Sequence, residues 1–407
     1  MGKIVKGLAL SAVASSVVMA AGYKIPEQSL NSMALGAAYV AHTMGADTAY
    51  YNPANMAFMG DKQYVEGGIT LAHLPSNDFA SVYPYFGEAE VEDLPIPFFH
   101  YVSSPMGDFR WGVSLAAPAG LTKRWETPFQ KLSAEEFTLK VVELNPSVSY
   151  KVADNFSIGG GVRFIYSEGV VKSDGYDFSQ IAGAQYNVKR DMEGNTFEVG
   201  YNLAMTYKPT SDINLAVTYR SKIDLDEEGT AKLYNQGTLF YDGDASVSVP
   251  LPAALNIAIS KTWNDKFTLE FNYERTYWSA YETLDFEYES TQPIFDAPLP
   301  KNWKDTNTFR VGATMKMDKI TMMTGFAIDE TPVPEETLGF ELPDSDAKIF
   351  SMGFRYQQTE ALSWGAAFLY DSKESRTVMQ GSSGNNINGS FHEGGAFLTT
   401  VGMAYEF

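Results

Sequence analysis

Cysteine is absent from the 407 residues, so the chain can form no disulfide and hold no thiolate-ligated metal. Outside the N-terminus no apolar run approaches the ~20 residues that a membrane-crossing helix needs. Basic side chains are scarce. Against 50 Asp+Glu stand 30 Lys+Arg, a net charge of −20, which has the wrong sign for a nucleic-acid partner. The four histidines, His42, His73, His100 and His392, are widely spread. No His-Glu-x-x-His motif is present, and His392-Glu393 lacks the second half. There is no Gly-x-Ser-x-Gly elbow, and no phosphate-binding glycine loop opens a helix. The run Asp224-Leu225-Asp226-Glu227-Glu228-Gly229 has the look of a calcium loop but lacks the closing Glu, and reads as an acidic strand end. No catalytic residue, metal or cofactor is expected from these absences, and the chain is not expected to be an enzyme.

Aromatic side chains and alternation are what the chain has in quantity. It carries 24 Tyr and 26 Phe with only 20% charged residues, yet its mean hydropathy is slightly negative. Phe109, Trp111, Val113 and Leu115 would share one face of a strand, and Arg110, Gly112, Ser114 and Ala116 the other. The same period-two pattern recurs in residues 157–172, 196–208, 214–224, 267–281 and 310–317. Composition alone fits either a soluble β-sandwich or propeller or a transmembrane barrel. The connections favour the barrel. Tight ones at 105–108, 153–155, 209–212, 264–266, 318–319 and 359–360 alternate with long polar ones near 74–95, 119–135, 173–191, 228–245, 282–302, 331–345 and 376–391. Short turns on one side and long loops on the other are the habit of outer-membrane barrels, and these connections give an all-β antiparallel barrel of about 14 strands.

Residues 1–20 read as a secretory signal. Lys3 and Lys6 precede an apolar stretch from Leu8 to Met19, and a small-residue cleavage site follows, so the mature chain is expected to begin at Ala21. Residues 21–61 lack alternation. They are rich in Ala, Gly and Met and carry little charge, with Lys24, Glu27, Asp47 and Asp61 as the only formal charges. This stretch is expected to be a plug inside the barrel of residues 62–407. A short helix is expected over Ser29–Val40, and Asn52 is expected to cap a turn opened by Pro53. Glycines such as Gly159 and Gly200 would let a plug approach the wall. The last strand carries Phe397, Val401, Met403, Tyr405 and a terminal Phe407 on one face, similar to the signal by which the barrel-assembly machinery recognises its clients.

In these features the chain resembles the FadL/TodX (OMPP1) family of outer-membrane transporters. The resemblance covers nearly the whole mature chain. It rests on Ala21-Gly22-Tyr23, Ala34-Leu35-Gly36-Ala37-Ala38-Tyr39 and Asn52-Pro53-Ala54, then Thr218-Tyr219-Arg220-Ser221, Leu251-Pro252, Trp278-Ser279, Lys304-Asp305, Pro332-Val333-Pro334 and Pro343-Asp344, in that order. It implies a 14-stranded barrel closed by an N-terminal helical hatch. It also implies passive uptake of hydrophobic small molecules across the bacterial outer membrane, in contact with its lipid and lipopolysaccharide. Long-chain fatty acids come first, with aromatic or alkane hydrocarbons as the alternative and an adhesin or receptor as a remoter one. The hatch motif would be Asn52, Pro53 and Ala54. Tyr23, Leu35, Met44, Met56, Phe58 and Met59 would line the pocket floor, methionine being adaptable in shape. The family's lateral exit lies at a kink of the third strand, which would fall at Pro118 and Gly120; Pro118 can equally be read as ending that strand. Of the basic residues that meet the ligand in the family, Lys304 matches one. The other position reads Ser167-Glu168 here, leaving Arg163 or Lys172 to substitute. If neither does, uncharged hydrocarbons would be preferred.

Overall fold

Alternating sequence becomes a closed wall. The computed structural model describes residues 22–379 and 387–407, so the expected signal segment lies outside them. Among the described residues fourteen antiparallel strands form the barrel. They are β1 (Tyr64–Leu74), β2 (Glu92–Val102), β3 (Phe109–Arg124), β4 (Glu136–Ala153), β5 (Phe156–Asp174), β6 (Val188–Thr210) and β7 (Ile213–Arg220). The second half comprises β8 (Ala254–Trp263), β9 (Phe267–Thr276), β10 (Thr306–Met317), β11 (Ile320–Asp329), β12 (Ala347–Gln357), β13 (Leu362–Lys373) and β14 (Gly395–Glu406). Each strand pairs with the next, and β14 returns to β1 in the register Tyr64↔Glu406 to Phe397↔His73. The tight turns lie where the sequence placed them. Between β8 and β9, Asn264 and Asp265 both adopt positive φ (52° and 55°), which these two residue types tolerate.

The two faces of each strand have separate chemistry. On β6, Phe197, Val199, Tyr201, Leu203 and Met205 are exposed, whereas Asn202, Ala204 and Thr206 are buried. Such an apolar belt around the whole molecule suits lipid on the outside. No described helix is long and apolar enough to cross a membrane.

Two strands run past the barrel. β7 stops at Arg220, earlier than the expected strand over 214–224. The chain then forms an outer hairpin, Ile223–Asn235 with Thr238–Leu251, paired to the distal part of β6 from Val188↔Asn235 to Asn195↔Glu228. The acidic residues 224–228 thereby leave the belt that faces lipid, where carboxylates are costly. Near the long-loop end, Asp78–Ala80, Gly87–Glu88, Arg376–Val378 and Gly389–His392 form a small separate sheet.

Residues 22–60 pack inside the barrel. The helix there is α1 (Leu30–Ala34), shorter than the expected Ser29–Val40. Ser29 caps it by accepting a hydrogen bond from the Ser32 N–H, and Gly36 and Ala37 end it in the left-handed region at φ 55° and 61°. A second turn, α2 (Thr48–Tyr51), leads into a 3₁₀ segment, Pro53–Phe58. Wall glycines admit these turns. A Cβ on Gly159 would lie 2.6 Å from Ala54 N, and one on Gly325 would lie 2.1 Å from the Leu35 carbonyl carbon.

Candidate functional site

The wall is incomplete between β2 and β3. Their ladder runs only from Val102↔Gly112 to Phe99↔Leu115. Continued in the same register, Pro97 would oppose Ala117 and Pro95 would oppose Ala119. Ser103 donates its N–H to Trp111 O, so the odd-numbered residues of β2 aim their backbone groups at β3. Proline at 95 and 97 therefore removes two donors from the edge that would have extended the ladder. On the other side, β3 slips register against β4 between Ala116 and Ala119, leaving Ala117 and Pro118 as a bulge.

The N-terminal segment takes the vacated places. The Gln28 side-chain amide donates to Ala117 O (2.7 Å) and accepts from Ala117 N (2.8 Å). Ile25 N donates to Pro118 O and Gly120 N to Tyr23 O, with Lys24 opposite Ala119. Pro118 and Gly120, singled out from the sequence, thus sit in a bulge that pairs inward with residues 23–28 in place of β2. Buried His100 supports the arrangement. Its Nε2–H donates to Gln28 O, leaving Nδ1 to accept from Ser114 Oγ.

Tyr23 stands between two cavities. The outer one, about 50 Å³, is lined by Leu121, Phe137, Leu139, Val171, Val247, Val249, Leu284 and Trp303, with Tyr23, Tyr281, Glu227, Lys301 and Glu341. Tyr23 packs edge-on to Trp278 and Tyr281 and lies 5.7 Å from the Trp303 ring, and its hydroxyl donates to Pro250 O. Gly22 has φ +71°, and a Cβ there would lie 2.6 Å from the Trp278 ring, so the residue before Tyr23 must be glycine. Its N–H donates to Asp344 of the Pro343-Asp344 motif.

The inner cavity, about 70 Å³, is cationic. Lys24, Arg163, Arg220 and Arg310 line it beside Pro118, Ile25, Tyr50 and Leu251. Glu143 binds Arg163 (3.0 Å) and Arg220, and Glu274 binds Lys24 (2.6 Å) and Arg310 (3.3 Å). Four lining cations share these two carboxylates, and the buried acids Asp329 and Glu27 also act on Arg310. Arg220 Nη1 and Arg310 Nε have no hydrogen-bond partner among the described residues. Arg220 also lies over the Tyr50 ring at 4.4 Å.

The other predicted residues fall elsewhere. Lys304 is exposed. Lys301 and Trp303 point inward and Lys304 does not, so it cannot supply a lumen cation. Lys172 pairs with Glu136. Leu35, Met56 and Met59 pack the N-terminal segment against the wall, and Met59 O accepts from Arg110. Met44 and Phe58 lie toward the short-turn end, Phe58 beneath Lys208. Of the six expected floor residues only Tyr23 lines either of these two cavities. Asn52, Pro53 and Ala54 do cluster. Asn52 Oδ1 accepts from Ala54 N, and its amide donates to Val40 O and to Thr206 Oγ1 on β6. Ser157 Oγ on β5 donates to Ala54 O. A further wall anchor went unforeseen: the buried Glu270 carboxylate of β9 accepts from the N–H groups of Val40, Ala41 and His42 at 2.5–3.0 Å. Gln28, Arg220 and Arg310 were also missed as site residues. The alternation Leu94-Pro95-Ile96-Pro97 inside a strand was the available signal for the open edge.

Residues 11–407 match the family model described as outer membrane protein transport protein (OMPP1/FadL/TodX). The chain is 23% identical over 439 aligned positions to a long-chain fatty acid transport protein of Escherichia coli O6:H1, covering 97% of this chain and 96% of that one. It is 22% identical to outer membrane protein P1 of Haemophilus influenzae, covering 88% and 89%. Among solved structures, a Pseudomonas aeruginosa FadL homologue superposes with a TM-score of 0.79 at 20% identity, covering 95% of this chain and 99% of that one. The Pseudomonas putida toluene transporter TodX superposes at 0.71 and 17% identity, with the same coverage. At these identities the structures establish the shared fold.

Proposed function

The chain belongs to the OMPP1/FadL/TodX family of outer membrane transport proteins, and we propose that it admits hydrophobic molecules, long-chain fatty acids foremost, by diffusion through a gated barrel with a lateral exit. The observation that carries this reading is the exchange of partners at β3. Residues 23–28 occupy the ladder positions that the prolines of β2 leave open. Residues 21–61 are then the hatch, and the span from Ala116 to Gly120 is the exit.

The path follows from the order of the cavities. An acyl chain leaves water for the outer apolar cavity, gaining about 0.8 kcal/mol per buried methylene. Tyr23 closes the floor. Drug-sized ligands need pockets of roughly 300–1,000 Å³, and the two cavities are about 50 and 70 Å³, so Tyr23 and its segment must move for a ligand to pass. Below Tyr23 the lining cations, with unpartnered guanidinium N–H groups on Arg220 and Arg310, suit a carboxylate. Pro118 lines the same cavity and leads to the gap between β2 and β3. Leaving sideways into lipid spares the acyl chain a second contact with water. The name of the E. coli relative supports the fatty acid reading. That of TodX supports hydrocarbons as the second reading, which the charge-neutral outer pair Lys301–Glu341 also favours. The strand ending in Phe407 is the expected handle for the barrel-assembly machinery.

The absence of cysteine makes the test clean. Lys24→Cys with Ala119→Cys, at directly opposed positions, should form a disulfide that fixes the hatch to β3. Uptake of oleate by cells lacking their own fatty acid transporter should stop on oxidation and return on reduction. Unchanged uptake through the locked barrel would refute the lateral exit.

A further inference from the structure

We propose that the outer cavity is a head-group filter, in which Glu227 and Trp303 select a neutral hydroxyl or protonated carboxyl group over a carboxylate. The inference rests on the outer cavity being the way in. Glu227 belongs to the outer hairpin and is 1% exposed, and neither of its carboxyl oxygens has a hydrogen-bond partner among the described residues. It lines the outer cavity, as does Trp303, whose Nε1–H is likewise buried and without a partner. Two buried polar groups on a largely apolar cavity wall, Glu227 having only the nearby Ser167 hydroxyl, are costly unless a ligand meets them. An acceptor and a donor together match a hydroxyl, which can donate to one and accept from the other. A protonated carboxyl group does the same.

The charges around Glu227 disfavour an anion. Lys301 is the cation in the cavity lining, and Glu341 neutralises it. Tyr166 and Glu168 face Glu227 from β5, where the Tyr166 hydroxyl donates to Glu168, and Tyr281 faces the cavity from the loop after β9. Burial pushes the Glu227 carboxyl up to about 7, with the Glu168 charge raising it further and the nearby Ser167 hydroxyl opposing. Below that pH Glu227 is a neutral acid that tolerates a carboxylate. Above it, two negative charges would share an apolar cavity. The outer and inner cavities therefore sort by charge in opposite senses: the outer favours a neutral head group, and the inner, lined by four cations, favours the anion.

The test is calorimetric titration of the full barrel, reconstituted in nanodiscs, with dodecanol, dodecanoate and dodecane. Wild-type protein should bind dodecanol about tenfold more tightly than dodecane, and Glu227→Leu should cut that advantage to below about threefold. Raising the pH from about 6 to about 8.5 should weaken dodecanoate binding about tenfold more in wild type than in Glu227→Gln. The comparison between the two proteins cancels the ligand's own titration. An equal pH response in both, or an alcohol advantage untouched in Glu227→Leu, would overturn the filter while leaving transport intact. No binding of any of the three would overturn the filter and the uptake reading together. Glu227 lies outside the barrel ladder, so both variants should assemble, which heat-modifiable migration on gels would check.

Discussion

Replacing Glu270 with Ala should release the hatch from the wall without opening the barrel. Three hatch N–H groups, those of Val40, Ala41 and His42, converge on this one carboxylate at 2.5–3.0 Å, and the side chain is buried. Each is a charge-assisted bond, worth about 1.5–3 kcal/mol in isolation. Their loss is not additive, because water can reach part of the vacated space, so about 3–5 kcal/mol is the reasonable total. At about 1.4 kcal/mol per factor of ten, hydrogen-exchange protection at residues 40–42 should fall by roughly 10²-fold to a few times 10³-fold. The strand ladders do not depend on this contact, so protection in the wall should hold. Glu270→Gln keeps one acceptor oxygen and turns an amide donor toward the remaining N–H groups, so it should fall between the two. Exchange measured by mass spectrometry on peptides spanning residues 38–46 decides the matter. Protection within about threefold of wild type in a folded Glu270→Ala barrel would mean that the hatch is held elsewhere.

Asn52→Ala removes a cap and a tether to Thr206. It should cost the hatch about 1 kcal/mol and alter oleate uptake in a barrel that still assembles; normal uptake would take the motif out of the gating mechanism. Gly159→Val drives a side chain into the Ala54 backbone, so limited proteolysis should cut the displaced hatch while the wall resists. Gln28→Leu strips Ala117 of both hydrogen-bond partners and should speed lateral release, read as faster efflux of preloaded ligand from proteoliposomes. Glu227 has a raised pKa, so its contribution to the outer hairpin is full below about pH 4.5 and is lost as the pH rises through about 7. Protease cleavage within 223–251 should accordingly increase from about pH 6 to about pH 8.

The wall was legible in the sequence because alternation and turn spacing are local. Phe197 to Met205 announce a lipid-facing strand whatever surrounds them, and the tight turns need only a few residues each. The interior was less legible. Lys304 and Lys301 differ by three positions in an irregular approach to β10, where no alternation says which one turns inward. Arg220 was visible within a motif, but its neighbours Arg310 and Glu143 come from distant strands. Glu227 looked like one of several acids at a strand end. Only the hairpin's departure from the barrel turns it inward while Asp226 and Glu228 turn to the cleft outside. Leu35, Met56 and Met59 pack the N-terminal segment against the wall, since Ala, Gly and Met serve a tight plug as well as they serve a pocket.

A barrel abolishes exposed strand edges by closing on itself, and a hole in its side brings two of them back. During assembly every outer-membrane barrel in the cell is a source of unpaired strands, and any bare edge could capture one or zip shut. Pro95 and Pro97 blunt one lip of the hole, and the hatch covers the other for as long as it stays docked. The opening can therefore persist through folding among competitors. The same two substitutions that would make β2 a better strand, Pro95→Val and Pro97→Val, would weld the door into the wall.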